Sequence, residues 1–140
     1  MIVVGIDPGM NTGLAVWDTS HRQFLDIRCS GIVGAMRYLL ALQGENKIGL
    51  IVFEDARKRK WIPREKNLSE VRGRAMGAGS VKRDCSIWEE FCTAFAIPFV
   101  CPPPRPGMTK WTDENFRRIT GYDRRTNQHG RDAALLVFGR

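Results

Sequence analysis

The first eighteen residues, MIVVGIDPGMNTGLAVWD, limit the fold most. Two apolar runs of strand length flank the turn formers PGMNTG, so the segment predicts a β-hairpin with strands over residues 2–7 and 13–18. One carboxylate, Asp7, interrupts the first run beside Val3, Val4, Gly5 and Ile6. A buried or half-buried acid is costly unless it is paired or holds a metal. The remainder of the chain must therefore supply its partner.

Residues 23–29 alternate Phe24, Ile27 and Cys29 with polar positions and predict a third antiparallel strand. Over residues 31–42, Ile32, Ala35, Met36, Leu39 and Leu40 recur at helical spacing, with Gly44 as a stop. The unbroken apolar run from Ile48 to Phe53 fits a strand buried on both faces and ends in Glu54 and Asp55. The stretch ARKRKWIPREKN carries six basic residues between Arg57 and Lys66, with one Pro and one Trp, and reads as an exposed loop. Residues 68–95 predict a helix with an apolar stripe of Val81, Cys85, Trp88, Phe91, Cys92 and Phe95; Gly73, Gly77 and Gly79 weaken its first half, or equally allow close packing against another helix. IPFVCPPPRPG predicts a short strand ended by a proline connector. Thr112 caps a helix reaching Thr120 before Gly121, and HGRDAALLVFG forms a last helix in which Ala133, Leu135, Leu136 and Val137 face the sheet. The expectation is an α/β chain, residues 1–140 as one domain, whose fourth strand lies parallel beside the first.

Lys and Arg outnumber Asp and Glu by 22 to 15, a net charge of +7. Such a balance suits a polyanionic partner. The first residues read as a strand and not a leader, and no run approaches the roughly 18 apolar residues of a membrane span, so the expectation is a cytoplasmic protein without membrane association. Four scattered cysteines without a Cys-x-x-Cys pair, and only two histidines, argue against structural zinc and for reduced thiols.

Three predicted elements each bring a carboxylate next to apolar sequence: Asp7 on the first strand, Glu54 at the end of the fourth, and Asp132 in the last helix. Asp55 competes with Glu54, because adjacent strand residues face opposite sides and only one can turn toward Asp7. His129 precedes Asp132 by three residues and shares its helix face. Clustered carboxylates raise one another's pKa and call for cations. Magnesium takes hard oxygen ligands, and two such ions roughly 4 Å apart can activate water and stabilise the leaving oxygen of a phosphoryl displacement. A basic chain with an acidic centre has the make-up of a nuclease. Each acid has a simpler alternative: Asp7 as a turn cap, Glu54 paired with an arginine of the next loop, Asp132 as a first-turn helix acid.

GIDPGMNTGLAVWD, VFED some 40 residues on, and HGRDAALLV near the end together resemble the three metal-binding motifs of RuvC-type Holliday-junction resolvases, in the RNase H-like superfamily; the small size resembles the phage-type members. The resemblance implies an RNase H-like fold with a five-stranded mixed sheet, three antiparallel strands then parallel ones, flanked by helices. It further implies a homodimer that makes paired nicks in four-way and related branched DNA, with a water nucleophile leaving 5′-phosphate and 3′-hydroxyl ends. Asp7, Glu54 and Asp132 would ligate two Mg2+ ions, or Mn2+ in their place, and His129 matches a position where the family has a fourth ligand, Asp or His. No small-molecule cofactor is implied. Family members carry an aromatic wedge shortly after the strand Glu; here Asp55-Ala56-Arg57 occupies that region and the nearest aromatic is Trp61.

Trp61, among Arg57, Lys58, Arg59, Lys60, Arg64 and Lys66, suits stacking on an unpaired base while the cations hold phosphate. Lys110 matches loosely a basic residue that approaches the scissile phosphate in the family. Arg72, Arg74, Lys82, Arg83, Arg105, Arg124, Arg125 and Arg131 fall on the expected DNA side. Two other functions compete. An actin-like phosphotransferase needs two lobes, for which the chain is too short, and GMNTG lacks a P-loop lysine. A relative acting on RNA/DNA hybrid, flaps or RNA, or binding nucleic acid without cleavage, shares the fold; clustered acids facing a polyanion disfavour the pure binder.

Overall fold

The computed structural model describes residues 1–45, 48–59, 68–105 and 110–140. Its centre is a five-stranded sheet in the order β3-β2-β1-β4-β5. Strands β1 (Ile2–Asp7), β2 (Thr12–Asp18) and β3 (Gln23–Ser30) form the antiparallel half. Strands β4 (Ile48–Phe53) and β5 (Phe99–Val100) add to it in parallel. Thr12 Oγ1 donates to the Gly9 carbonyl at 2.8 Å and closes the first hairpin turn, leaving Met10 83% exposed at its tip.

Residue parity sorts the two faces of the sheet. Val4 and Ile6 of β1, Leu14 and Val16 of β2, and Ile51 and Phe53 of β4 pack with Ala35 and Leu39 of α1 (Ile32–Glu45) and with Cys85, Trp88 and Cys92 of α2 (Leu68–Ala94). Val3, Ala15, Trp17 and Val52 face the other way, against Phe116 of α3 (Asp113–Thr120) and Ala133 and Ala134 of α4 (Gln128–Leu135). Gly5, Asp7 and Gly13 share the parity of this second face.

Helix α4 lies almost on the backbone of the sheet. A Cβ at Gly13 would sit 2.0 Å from the His129 carbonyl oxygen, and one at Gly5 2.1 Å from that of Ala133. Only hydrogen fits at both positions, and that absence sets the height of α4 over β1 and β2.

Several local expectations change. Helix α1 runs through Gly44 to Glu45 instead of stopping before it. Phe95 is not part of the buried stripe: it lies just beyond the end of α2 and is 49% exposed, although it tilts against Phe91. Helix α4 ends at Leu135, so the segment to Gly139 does not complete a longer helix. Leu135 and Leu136 are only half-buried, Leu136 still packing against the core on this face, and Ala134 is fully buried. The predicted N-cap Thr112 accepts from the Asn115 N–H at 3.2 Å, and Gly121 closes α3 in the left-handed conformation, φ 72°.

Strand β3 is an edge, and side chains seal it. Tyr122 Oη accepts from the Ile27 N–H at 3.1 Å, and Arg124 donates to the Leu25 carbonyl at 2.7 Å while pairing with Asp26. Two of the groups that would template another strand are thereby taken. Arg124, expected on the DNA side, has this edge role.

Asp55 and Glu54 divide as neighbouring strand-end residues must. The Asp55 side chain is 1% exposed and receives Arg57 through Nε at 2.8 Å and an η nitrogen at 2.9 Å. Arg57 reaches on to Glu89 of α2 at 2.6 Å. The Asp55 backbone N–H donates to the Pro102 carbonyl at 2.8 Å, tying the segment after β4 to the one after β5. Arg57, grouped by sequence with the DNA-binding cations, is thus a bracket between a single 3₁₀ turn (Ala56–Lys58) and α2. Arg57→Ala is expected to cost about 2 kcal/mol by leaving a buried carboxylate unpaired, measured by urea unfolding at neutral pH. The hydrogen bond from Arg57 holds the Asp55 carboxyl below its ordinary 3.8. A depressed carboxyl stabilises above the unfolded value, and the contribution fades as pH falls through the folded one. The gap between wild type and variant should therefore narrow as pH falls through the acid range until Asp55 is protonated in both folded proteins; a gap independent of pH would overturn the pairing.

Candidate active site

Asp7 ends β1 and Glu54 follows β4, which runs parallel to β1 with Ile6 beside Phe53. Both lie at the same end of adjacent strands. Asp132 comes to them from α4, held over the sheet by the two glycine contacts. All three carboxylates line one cavity of about 160 Å³, together with Arg105, Lys110, Leu135 and Leu136. A neighbouring groove of about 400 Å³ shares the three acids and Lys110 and continues past His129, Arg59 and the Pro8–Asn11 turn. Glu54 is therefore the acid that joins Asp7, and Asp55 is not.

Burial raises the Asp7 pKa above its ordinary value; the Asp132 charge adds to the rise and a hydrogen bond from His129 opposes it. Glu54 is likewise raised by burial, helped by the charges of Asp7 and Asp132 and opposed by a hydrogen bond from the Arg105 backbone N–H. The carboxylates repel one another across the cavity, which is the electrostatic condition of a cation site. His129 Nδ1 lies 2.9 Å from Asp7 Oδ2. Toward an ionised Asp7 carboxylate, which only accepts, Nδ1 is the donor of this pair. Asp132 Oδ1 accepts from Gln128 Nε2 at 2.6 Å, and its Oδ2 lies 3.8 Å from Lys110 Nζ.

The donor chemistry fits a hard divalent cation: three carboxylates and one imidazole, in excess of the cations beside them. Among the described residues, however, no group of three or more His, Cys, Asp or Glu side chains is disposed to hold a single ion. In this conformation Asp7 and Asp132 each give one oxygen to a protein neighbour, and the four donors line a groove without closing on one point.

Of the expected nucleic-acid contacts, Arg59 and Lys110 are exposed and line the groove. Lys58 donates to the Cys101 carbonyl at 2.6 Å with half its side chain exposed. Lys60, Trp61, Arg64 and Lys66 lie outside the described residues, as do the side chains of Arg72 and Arg74. Arg131 is corrected: it is 8% exposed, buried beneath α4 against Trp111, Thr126 and Asp113. Sequence reading missed Gly5, Gly13 and Gln128. Only Gln128 carried a local signal, its four-residue spacing from Asp132.

No protein-family profile matches this chain, and no characterised protein matches it in sequence. Among solved structures, it is similar to Thermus thermophilus RuvC in complex with a Holliday junction substrate, with a TM-score of 0.60 and 18% identity over 99% of this chain and 90% of that one. A second Thermus thermophilus RuvC structure superposes with a TM-score of 0.57 at 19% identity, covering 99% and 92%. The fold is that of RuvC, the RNase H-like mixed sheet flanked by helices.

Proposed function

We propose that this chain is a metal-dependent, structure-selective endonuclease that resolves four-way and related branched DNA by paired nicks. The observation that carries this reading is the convergence of Asp7, Glu54 and Asp132 on one cavity, in a basic chain with the RuvC fold. Asp7, Glu54, Asp132 and His129 would hold two Mg2+ ions, with Mn2+ as a substitute. When bound, such ions supply Lewis acidity, easing the ionisation of water and offsetting charge on the leaving oxygen. The protein's own part is placement. His129 fixes one oxygen of Asp7, Lys110 and Arg105 bring positive charge to the cavity rim, and Leu135 and Leu136 form an apolar wall that lowers the local dielectric. Arg59 and Lys58, with the loop cations that follow, would hold the backbone of the incoming strand.

Paired nicks require two sites, hence a homodimer. The first half of α2 supports one: a Cβ at Gly73, Gly77 or Gly79 meets nothing within 4 Å, and Met76 is 79% exposed. The exposed residues described there, Gly73 and Met76 to Ser80, suit contact with a second copy.

The test offers purified protein a labelled four-way junction, fork, duplex, single strand and RNA/DNA hybrid, each with magnesium, manganese or chelator. Symmetric nicks confined to the junction and absent in chelator are expected. Equal cutting of the hybrid moves the activity to a ribonuclease of the same fold. Junction binding without cleavage in either metal overturns the nuclease reading.

A further inference from the structure

We propose that Gln128 is a positioning residue for Asp132, and that buried Arg131 sets its orientation. The proposal rests on the cation site described above. Gln128 opens α4 directly after its N-cap, Asn127, whose side chain accepts from the Gly130 N–H at 2.8 Å. Four residues on, Asp132 stands over the same face of the helix. Gln128 Nε2 donates to Asp132 Oδ1 at 2.6 Å, and Gln128 Oε1 accepts from an Arg131 η nitrogen at 3.2 Å.

Chemistry alone fixes which way this amide faces. A guanidinium only donates and an ionised carboxylate only accepts, so the reversed amide would set N–H against N–H and oxygen against oxygen. The guanidinium is itself immobilised. Its Nε donates to the Trp111 carbonyl at 2.8 Å, and Nη1 donates to the Thr126 carbonyl at 2.7 Å and the Thr126 hydroxyl at 3.2 Å. Asp113 lies 3.7 Å away, and its Oδ1 also accepts from Thr126. The series Asp113, Arg131, Gln128, Asp132 thus transmits the rigidity of the α3–α4 junction to one carboxylate of the site.

The consequence is a fixed carboxylate plane. With Oδ1 committed to Gln128, Asp132 presents Oδ2 on the side where Lys110 stands. The rotamer entropy that binding a cation would otherwise cost has already been lost in folding. An ordinary Gln–Asp helix pair would add slightly to stability and nothing to a cation's affinity. The two roles separate by experiment.

Mn2+ binding to the full chain is measured from the free-ion signal in electron paramagnetic resonance, alongside thermal unfolding in chelator. Partners that orient metal-ligating side chains typically contribute tenfold or more to affinity. For Gln128→Met we expect the Mn2+ dissociation constant, and the Mg2+ concentration giving half-maximal nicking, to rise about tenfold, with junction binding unchanged and unfolding in chelator only slightly earlier. Gln128→Ala, with a better helix former, carries the same expectation if the methionine variant folds poorly. A folded variant that binds Mn2+ as wild type does overturns the assignment and leaves the site intact. A wild type that binds no Mn2+ overturns both.

Discussion

Gly13→Ala is expected to destabilise the protein by about 3 kcal/mol and to slow nicking about a hundredfold in the molecules that remain folded. The added methyl would lie 2.0 Å from the His129 carbonyl oxygen, where ordinary contact begins at 3.4 Å. The obstacle is backbone, so no rotamer change relieves it, and α4 must lift from the sheet. His129 and Asp132 ride on that helix while Asp7 and Glu54 stay with the strands. A displacement near 1 Å is enough to cost about two orders of magnitude in a reaction that depends on alignment. Urea unfolding and single-turnover nicking measure the two losses, and wild-type values for both would refute the close approach of α4. Gly5→Ala, at 2.1 Å from the Ala133 carbonyl oxygen, should behave alike.

Asp7→Asn is expected to reduce nicking about a thousandfold while leaving junction binding intact. The same substitution should make the metal-free protein more stable at neutral pH, not less. Burial and the charge of Asp132 push the Asp7 carboxyl above its ordinary value, which means the fold favours the uncharged form. Asn is uncharged at every pH and nearly isosteric, so it removes the desolvation and repulsion together. Thermal unfolding in chelator should show the variant above wild type, and magnesium should raise only the wild type. A variant that unfolds earlier, or that still nicks at the wild-type rate, would exclude Asp7 from the cation site. A site that weakens the fold until loaded is the usual relation between activity and stability.

Much of this architecture could be read from the chain because its strongest signals are local. Strand period, the PGMNTG turn, the Thr112 cap and the long helix from Leu68 each follow from neighbours in sequence. The acid set was legible for the same reason: Asp7, Glu54 and Asp132 each stand out against an apolar run. What stayed hidden depends on which distant groups meet. Gly5 and Gly13 look like turn and strand punctuation until α4 is placed on them. Arg57 and Arg131 look like surface cations until Asp55, Glu89 and Asp113 are found opposite them. A basic residue's sequence context gives its charge, and only the fold gives its partner. Leu135 and Leu136 carried the right periodicity for a buried face, yet the helix ends at them and both wall the cavity, Leu136 while also packing against the core.

The site joins residues from the first strand and the last helix, Asp7 and the His129 ring that touches it being 122 positions apart. Such long-range closure comes late in folding. During synthesis, a chain on the ribosome holds Asp7 and Glu54 long before Asp132 exists, and α4 cannot settle on Gly5 and Gly13 until it has emerged. A chain aborted partway therefore lacks its third carboxylate. Under the proposed function, a growing chain would hold no complete cation site until α4 has emerged and docked on the sheet.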